Sequence, residues 1–234
     1  MSNQKNNQTL DVNDTLAKSE AFFIKYKKQV ITAIVAVVVI VGGSFAYVYG
    51  YSKPQEDKAQ ECLGKVQQYI MAQDFEHALK GEGKTLGLEK IADKYSSTDA
   101  GNIAKYEAGV CLYKSGKTKE AIKYLEDYST KGDATVSFQA LSTLANAYAA
   151  DKQLDKSVET FKKAAKTTDI PALCSQALFD AGLILESQNK KDEALKLYQD
   201  IKKNYPSAPI CARQQQNGVT LDAVIDKYIE RLSK

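Results

Sequence analysis

Histidine and arginine are scarce in this sequence, and the scarcity of each excludes a class of function. His77 is the only histidine among the 234 residues, which rules out His-based catalytic triads and multi-histidine metal sites. Arg213 and Arg231 are the only arginines, and no basic patch surrounds them. A nucleic-acid partner needs many cations against its phosphates, so we expect none.

Metal-binding and catalytic clusters are also missing. The cysteines lie far apart and form no C-x-x-C pair, so we expect no zinc site. Acidic residues are plentiful, but stretches such as EKIADKY and NKKDEALK are typical of ordinary charged helix faces. No nucleophile, base and orienting group can be assembled. We therefore predict that the chain is not an enzyme and has no cofactor or small-molecule substrate.

One long stretch lacks charge altogether. Between Lys28 and Lys53 no charged residue occurs, and residues 30–51 are almost all apolar or aromatic. As a helix this stretch would be about 33 Å long, enough to cross a hydrocarbon layer of about 30 Å. A cleaved export signal would lie closer to the N-terminus, and a buried core helix needs only about 14 such residues. We predict an uncleaved transmembrane helix over residues 30–51.

Small residues recur along one side of this span. Gly42, Ala46 and Gly50 are spaced at i, i+4 and i+8, which would let another membrane helix approach closely. Glycine is common in spans, so such a stripe also arises by chance. These residues either pack against another membrane helix or have no packing partner, and the sequence leaves both alternatives open.

The lysines that flank the span indicate its orientation. Lys25, Lys27 and Lys28 are packed together before it, whereas Lys53 and Lys58 are interleaved with acids after it. Positive charge is retained on the cytoplasmic side, so we expect a cytoplasmic N-terminus and a large domain outside the cytoplasm.

The region before the span is a predicted cytoplasmic tail, residues 1–29. Its first 13 residues are polar and low in complexity, and we expect them to be disordered. Residues 14–28 are compatible with a short amphipathic helix. This helix either lies on the membrane surface or leads into the span.

Beyond residue 100 the sequence repeats itself at steps of 36 and 37 residues. The segments 106–128, 142–164 and 179–201 align, and each is predicted to form a helix, a short polar turn and a second helix. Three positions recur, namely a small residue in the first helix (Gly109, Ala145, Gly182), a small residue in the second (Ala121, Ser157, Ala194) and a bulky residue four positions later (Leu125, Phe161, Tyr198). Small residues are needed where helices cross closely, and bulky ones fill the neighbouring space.

These positions resemble the tetratricopeptide repeat (TPR), a unit of about 34 residues. Pro206 matches the proline that closes the family's unit, although Lys152 and Asn189 stand where its turn glycine is expected and only Gly116 keeps it. The resemblance implies an all-α superhelix. We expect a degenerate first repeat over 52–100, three full repeats over 101–208 and C-terminal capping helices over 209–234.

A glycine-rich stretch interrupts the degenerate repeat. The sequence KGEGKTLGL, residues 80–88, could be taken for a phosphate-binding loop, because glycine lets backbone amides approach an anion. No strand precedes it, however, and its spacing fits neither common phosphate motif. We expect a hinge between two helices.

The spacing of the cysteines argues against a disulfide. Cys174 and Cys211 are one repeat apart, so we expect them on equivalent helices of neighbouring units. Helix axes about 8–10 Å apart exceed the roughly 7 Å Cα limit for a bridge. We predict buried free thiols at these positions and at Cys62 and Cys111.

The resemblance to TPR proteins implies a concave groove, formed by the first helices, that binds peptides or helices of other proteins. The candidate groove residues are Tyr106, Val110, Tyr113, Asn146, Phe179 and Leu183, accompanied by Ile103, Ser142, Ala149, Gln176 and Glu186. Packing in the core is the alternative for each of them. The family's cluster of cations for chaperone C-termini is matched only by Asn146, so we do not expect that activity.

The whole layout resembles the YfgM-like ancillary subunits of the bacterial Sec translocon. The features that carry it are a short tail with FFIKYKK, one span with a Gly-Gly pair, and a TPR-like domain that follows Pro54. The resemblance implies a single-pass protein of the bacterial inner membrane with a periplasmic domain. Such a protein would bind translocon subunits, periplasmic chaperones or emerging chains. The alternative is a scaffold for outer-membrane assembly or division.

Overall fold

The computed structural model describes residues 12–216 and 219–234, which form two compact units, Met1–Pro54 and Gln55–Lys234. The disorder predicted for the first 13 residues falls largely on residues 1–11, outside the described residues. Each unit is described below by itself.

The N-terminal unit is a single long helix, α1 (Val12–Tyr47), which continues into a π-helical turn (Val48–Ser52). Among the described residues, Ile24–Met71 contains the one helical stretch long and apolar enough to cross a membrane. Its most apolar 18-residue window has a mean hydropathy of 2.4, and none of it is buried. The predicted span is therefore helical and carries its apolar side chains on the surface.

The π-helical turn ends two residues before Pro54. Proline has no backbone N–H, and its ring collides with the carbonyl four residues earlier in an α-helix, here that of Gly50. A wider turn accommodates such a residue, and the N–H of Lys53 donates to the carbonyl of Val48, five residues back.

Helices dominate the second unit. In chain order they are α2 (Lys53–Met71), α3 (Phe75–Lys80), α4 (Leu88–Lys94), α5 (Asp99–Lys114), α6 (Thr118–Glu126), α7 (Ala134–Ala150), α8 (Leu154–Ala164), α9 (Pro171–Ser187), α10 (Lys191–Asn204) and α11 (Val224–Leu232). The predicted all-α class is confirmed, with two short hairpins as the exceptions among the described residues.

The helices of the three full repeats pack in pairs, α5 with α6, α7 with α8 and α9 with α10. We call α5, α7 and α9 the first helices and α6, α8 and α10 the second helices. Each second helix also packs against the helix that opens the next repeat, and α10 packs against α11 in the same way. The hydrophobic core follows the stack as two clusters, an N-terminal one that includes Leu144 and Tyr148 of α7 and a C-terminal one that includes Leu141 and Ala145 of the same helix.

Close helix crossings explain the recurring small residues. A Cβ atom built on Gly109 would lie 2.5 Å from Cγ of Leu125, and one built on Gly182 would lie 2.3 Å from Cε1 of Tyr198. Both distances are far below van der Waals contact, so a Cβ atom at either position would force the Leu125 or Tyr198 side chain to shift. The predicted pairing of a small residue with a bulky one four residues after the second-helix position is confirmed.

The turns within the repeats share one backbone conformation. Gly116, Lys152 and Asn189 have φ of 78°, 64° and 61°, in the left-handed region. The residue after each donates its N–H back across the turn, for example Gln153 to Tyr148 O at 2.8 Å. Gln73, after α2, has φ of 56° and the same bonds, which gives α2 the place of a first helix.

The glycine-rich stretch forms a tight hairpin, so the expectation of a simple hinge is corrected. Strand β1 (Gly81–Glu82) pairs antiparallel with β2 (Thr85–Leu86) between α3 and α4. A Cβ on Gly81 would lie 2.1 Å from Thr85 O, and one on Gly87 would lie 2.2 Å from Leu79 O. The glycines therefore let backbone segments approach each other.

The C-terminal segment is only partly helical, which corrects the expectation of capping helices throughout 209–234. A short 3₁₀ turn (Pro209–Cys211) is followed by β3 (Gln214–Gln216), which pairs antiparallel with β4 (Val219–Leu221), and then by α11. The sequence between the strands is Asn-Gly, the strongest dipeptide signal for a hairpin. The apolar residues from Leu221 onward are at helical spacing, and they led to the prediction of a helix instead of a strand here.

Candidate protein-binding surface

One side of the first helices carries side chains at equivalent repeat positions. We call this side the inner face. It consists of four rows, Ile103/Gln139/Gln176, Tyr106/Ser142/Phe179, Val110/Asn146/Leu183 and Tyr113/Ala149/Glu186. Within each helix these positions are spaced by three or four residues, so they lie on one face, whereas residues such as Ala104, Ala108 and Leu112 are buried on the opposite face.

Side-chain contacts join neighbouring helices across the inner face. The hydroxyl of Tyr106 in α5 donates to Oε1 of Gln139 in α7 at 3.0 Å. The amide of Gln67 in α2 donates to Oε1 and Oε2 of Glu107 in α5 at 2.8 and 2.9 Å. The first helices α5, α7 and α9 contact one another in sequence order. The rows therefore form one continuous surface.

The aromatic candidates pack against the core. Tyr106 and Tyr113 are half-buried against the N-terminal hydrophobic cluster, and the Tyr106 ring centroid lies 6.0 Å from that of Tyr128. Phe179 is half-buried in the C-terminal cluster, with its centroid 4.7 Å from Tyr228 and 5.5 Å from Tyr198. Only part of each ring is left for a partner.

The row Val110/Asn146/Leu183 is the more accessible part of the candidate set. Val110 is half-buried, Asn146 is exposed, and Leu183 is an exposed large hydrophobic at 37%. No hydrogen bond or ion pair is made by the Asn146 side chain within the described residues. These three residues lie at the same repeat position, one on each first helix.

Two carboxylates that lie one helical turn before this row were not among the candidate residues predicted from the sequence. Glu107 accepts from Gln67, and burial raises the pKa of its carboxyl despite that hydrogen bond. Asp180 accepts from Nε2 of Gln176 at 3.0 Å, and burial raises the pKa of its carboxyl too. Their shared repeat position was the available signal, because both residues precede the row Val110/Leu183 by three.

Glu186, in contrast, is fully paired. It accepts from the hydroxyl of Tyr198 at 2.7 Å, and Nη2 of Arg231 donates to its Oε1 and Oε2 at 2.8 and 2.7 Å. Burial, and then the hydrogen bond to Glu186, raise the pKa of Tyr198. Together with Phe179, this cluster is where α11 covers the end of the inner face.

The stripe in the apolar helix is less regular than the sequence suggests. Gly42 and Ala46 lie in α1, but Gly50 lies in the π-helical turn, where the i, i+4 spacing of an α-helix does not hold. A Cβ built on Gly42 or Gly50 would meet nothing within 4 Å. Their role in helix packing stays a prediction.

The four cysteines are free thiols, of which Cys111 and Cys174 are buried and Cys62 and Cys211 half-buried. Cys211 lies in the 3₁₀ turn, which corrects its expected place on a helix equivalent to α9. Burial raises the pKa of Cys111 to about 11, so its thiol is unreactive. Within residues 12–216 and 219–234, no group of three or more His, Cys, Asp or Glu could hold a metal ion.

Two parts of the chain, residues 142–209 and 104–131, match sequence patterns of the tetratricopeptide repeat family. A solved structure titled "MamA RS-1 ArsTM double mutant" is similar, with a TM-score of 0.51 and 17% identity over 76% of this chain and 94% of that chain. At this identity the likeness shows the fold alone. No curated protein matches the chain. Repeats of this family generally serve as scaffolds for protein interactions, and no family of enzymes is indicated.

Proposed function

We propose that this chain is a non-enzymatic, membrane-tethered adaptor that binds other proteins on the inner face of its repeats. The observation that carries the proposal is the row Val110/Asn146/Leu183, which presents unpartnered apolar and amide groups at one repeat position on three neighbouring helices. Exposed apolar side chains flanked by polar groups are typical of protein-binding surfaces.

The apolar helix α1 is the evidence for the proposed membrane tether. A helix of this length without buried residues needs an apolar environment, and a lipid bilayer supplies one. The lysines before the span favour a cytoplasmic N-terminus, which would place the repeats in the periplasm of a bacterial inner-membrane protein. The resemblance to YfgM-like subunits supports a place beside the Sec translocon, where the inner face would bind chaperones or emerging chains.

Site-specific cross-linking in cells tests the adaptor function. A photo-reactive amino acid replaces Leu183 or Asn146 on the inner face, and Glu159 on the exposed side of α8 serves as the matched control. We expect protein adducts from the first two positions and none from the control. Adducts that form equally at all three positions, or only at Glu159, would contradict the proposal.

The identity of the cross-linked proteins tests the proposed setting. Translocon subunits, periplasmic chaperones or exported chains are the expected partners. Adducts with outer-membrane assembly or division proteins would instead identify the chain as a scaffold for those systems and overturn the link to the translocon.

A further inference from the structure

Charge is distributed unequally between the two helices of the second and third repeats. Neither Ala134–Ala150 (α7) nor Pro171–Ser187 (α9) contains a lysine, arginine or histidine, and their only charged residues are Asp180 and Glu186. The second helices α8 and α10, in contrast, both end in a lysine pair, Lys162–Lys163 and Lys202–Lys203. In these two repeats the first helices therefore carry only negative charge, whereas α5 also contains Lys105, which pairs with Asp127, and the exposed Lys114 at its C-terminal end.

Two of the carboxylates on the inner face lack a cation. Within the described residues, no Lys, Arg or His nitrogen lies within 4.0 Å of a carboxylate oxygen of Glu107 or Asp180. Each makes hydrogen bonds only to a glutamine amide, Gln67 or Gln176. Partial burial without a counter-ion raises the pKa of both carboxyls, so a cation placed there would be stabilised.

The third carboxylate shows how this face binds a cation. Glu186 receives two hydrogen bonds from the guanidinium of Arg231, which comes from the C-terminal helix α11. The Arg231 side chain remains half-exposed, and its guanidinium carbon lies 4.6 Å from the ring centroid of Tyr228. A basic side chain of the chain itself thus pairs with a carboxylate of the inner face, although Glu186 belongs to the row Tyr113/Ala149/Glu186 and not to the repeat position of Glu107 and Asp180.

Each unpaired carboxylate is followed, one helical turn later, by an accessible aliphatic residue. Glu107 precedes Val110 on α5, and Asp180 precedes Leu183 on α9. At the same positions α7 presents Thr143 and Asn146, which are uncharged and able to bond a peptide backbone. The pattern along the inner face is therefore acidic and apolar, then neutral and polar, then acidic and apolar.

We propose that the inner face binds an extended basic polypeptide segment, in which two Lys or Arg side chains pair with Glu107 and Asp180 and aliphatic side chains contact Val110 and Leu183. Neighbouring helix axes lie about 8–10 Å apart, so these two carboxylates are separated by roughly 20 Å. An extended chain rises about 3.3 Å per residue, so the two basic residues are about six positions apart. This inference rests on the proposed function, since it specifies the chemistry of the segment that the same surface binds.

Fluorescence anisotropy with the full chain in detergent micelles provides the test. The probe is a labelled peptide of about twelve residues in a Gly-Ser background, with two lysines about six positions apart and a leucine two positions after each, so that all four side chains share one face of the extended chain. Two matched peptides carry glutamine or glutamate in place of the lysines. We expect the lysine peptide to bind about tenfold more tightly than the glutamine peptide, the glutamate peptide to bind least, and added salt to weaken the first.

Charge-neutralising variants connect this preference to the two carboxylates. Glu107→Gln together with Asp180→Asn keeps the shape of both side chains and leaves one amide oxygen to accept from Gln67 or Gln176, and burial of a neutral group costs less, so folding is preserved. We expect this double variant to lose about tenfold in affinity for the lysine peptide and to bind the glutamine peptide unchanged. Glu159→Gln, on the exposed side of α8, is the control and is expected to bind like the original chain.

The possible outcomes separate the inference from the proposed function. Equal binding of all three peptides, abolished by Leu183→Asp, would overturn the basic-segment inference and leave the adaptor function standing. An unchanged affinity in the double variant would also overturn it. If no peptide binds, the inference fails, whereas the adaptor function fails only if position 183 also gives no cross-linked protein.

Discussion

At the scale of single residues, the turns show how a repeat tolerates the loss of its glycine. Lys152 and Asn189 occupy a left-handed conformation that costs an L-amino acid about 1–2 kcal/mol. The same two backbone hydrogen bonds hold the turn at Lys152 as at Gly116, so the turn keeps its conformation whichever residue occupies this position. Asparagine adopts it more easily than lysine, which makes Lys152 the more strained position.

Lys152→Gly is therefore expected to stabilise the repeats. The substitution removes the strain of the left-handed conformation and should raise the free energy of unfolding by about 1 kcal/mol in a urea titration. Lys123→Gly, at an exposed interior position of α6, is the matched control and should lower it by about 1 kcal/mol, because glycine disfavours a helix interior. A loss of stability at position 152 would show that the turn is not strained.

His77 gives the stack a weak dependence on pH. Its Nδ1 lies 2.7 Å from Oδ2 of Asp74, the N-cap of α3, and this hydrogen bond raises the pKa of His77 above its usual 6.5. A raised pKa means that the stabilisation is fully present below about pH 6.5 and is lost as the pH rises through the higher folded value. Asp74→Asn retains the cap and removes the charge.

We expect an NMR titration of the His77 ring to give a pKa above 6.5 in the original chain and a lower one in Asp74→Asn. Unfolding measured between pH 6 and 8 should show stability falling with pH only in the original chain. Indistinguishable titration curves would mean that the ring is not paired with Asp74 in solution.

At the scale of elements, the close approach of paired helices determines which residue types recur at the crossing positions of each repeat. Gly182→Ala would place a methyl group 2.3 Å from Cε1 of the fully buried Tyr198. The ring is held by Glu186 and by Tyr228, so it can move little, and we expect a loss of about 2 kcal/mol in the free energy of unfolding.

Gly64→Ala is the control for this prediction. Nothing lies within 4 Å of the added methyl on the exposed side of α2, so the variant should gain up to about 1 kcal/mol from helix propensity. Equal effects of the two substitutions in thermal or urea unfolding would contradict the packing explanation.

The elements also show where prediction from sequence succeeds. The helix pairs and the Gly182–Tyr198 crossing follow from periodicity, because the same packing problem is solved at the same position in each repeat. Hydrogen bonds between residues that do not recur in each repeat cannot be predicted in this way. The Glu56 carboxylate accepts from the backbone of Asp99 at 2.7 Å, across 43 residues, and no local pattern indicates it.

The candidate surface was only partly predictable for a related reason. Repeat position assigns Val110, Asn146 and Leu183 to one row, but it could not show that Phe179 packs against α11. The sequence reveals which residues are equivalent, whereas accessibility depends on what the next element covers.

At the scale of the whole molecule, the apolar N-terminal helix is the basis of the proposed membrane tether. Residues 30–51 present their apolar side chains on the surface, and we expect the chain to remain in the membrane pellet after extraction with alkaline carbonate. A variant with Val37 and Val41 replaced by lysine should be released, because two charges near the centre of a span oppose insertion. Release of the original chain would contradict the tether.

The C-terminal helix α11 also limits how the molecule could have grown. It packs on α10 where the opening helix of another repeat would lie, and its Tyr228 and Arg231 are committed to Phe179 and Glu186. A unit duplicated at the C-terminal end would have to displace these contacts, whereas one inserted between existing repeats would meet surfaces already shaped for it. We therefore expect that longer relatives of this protein arose by duplication of an internal repeat, with α11 retained on the last repeat.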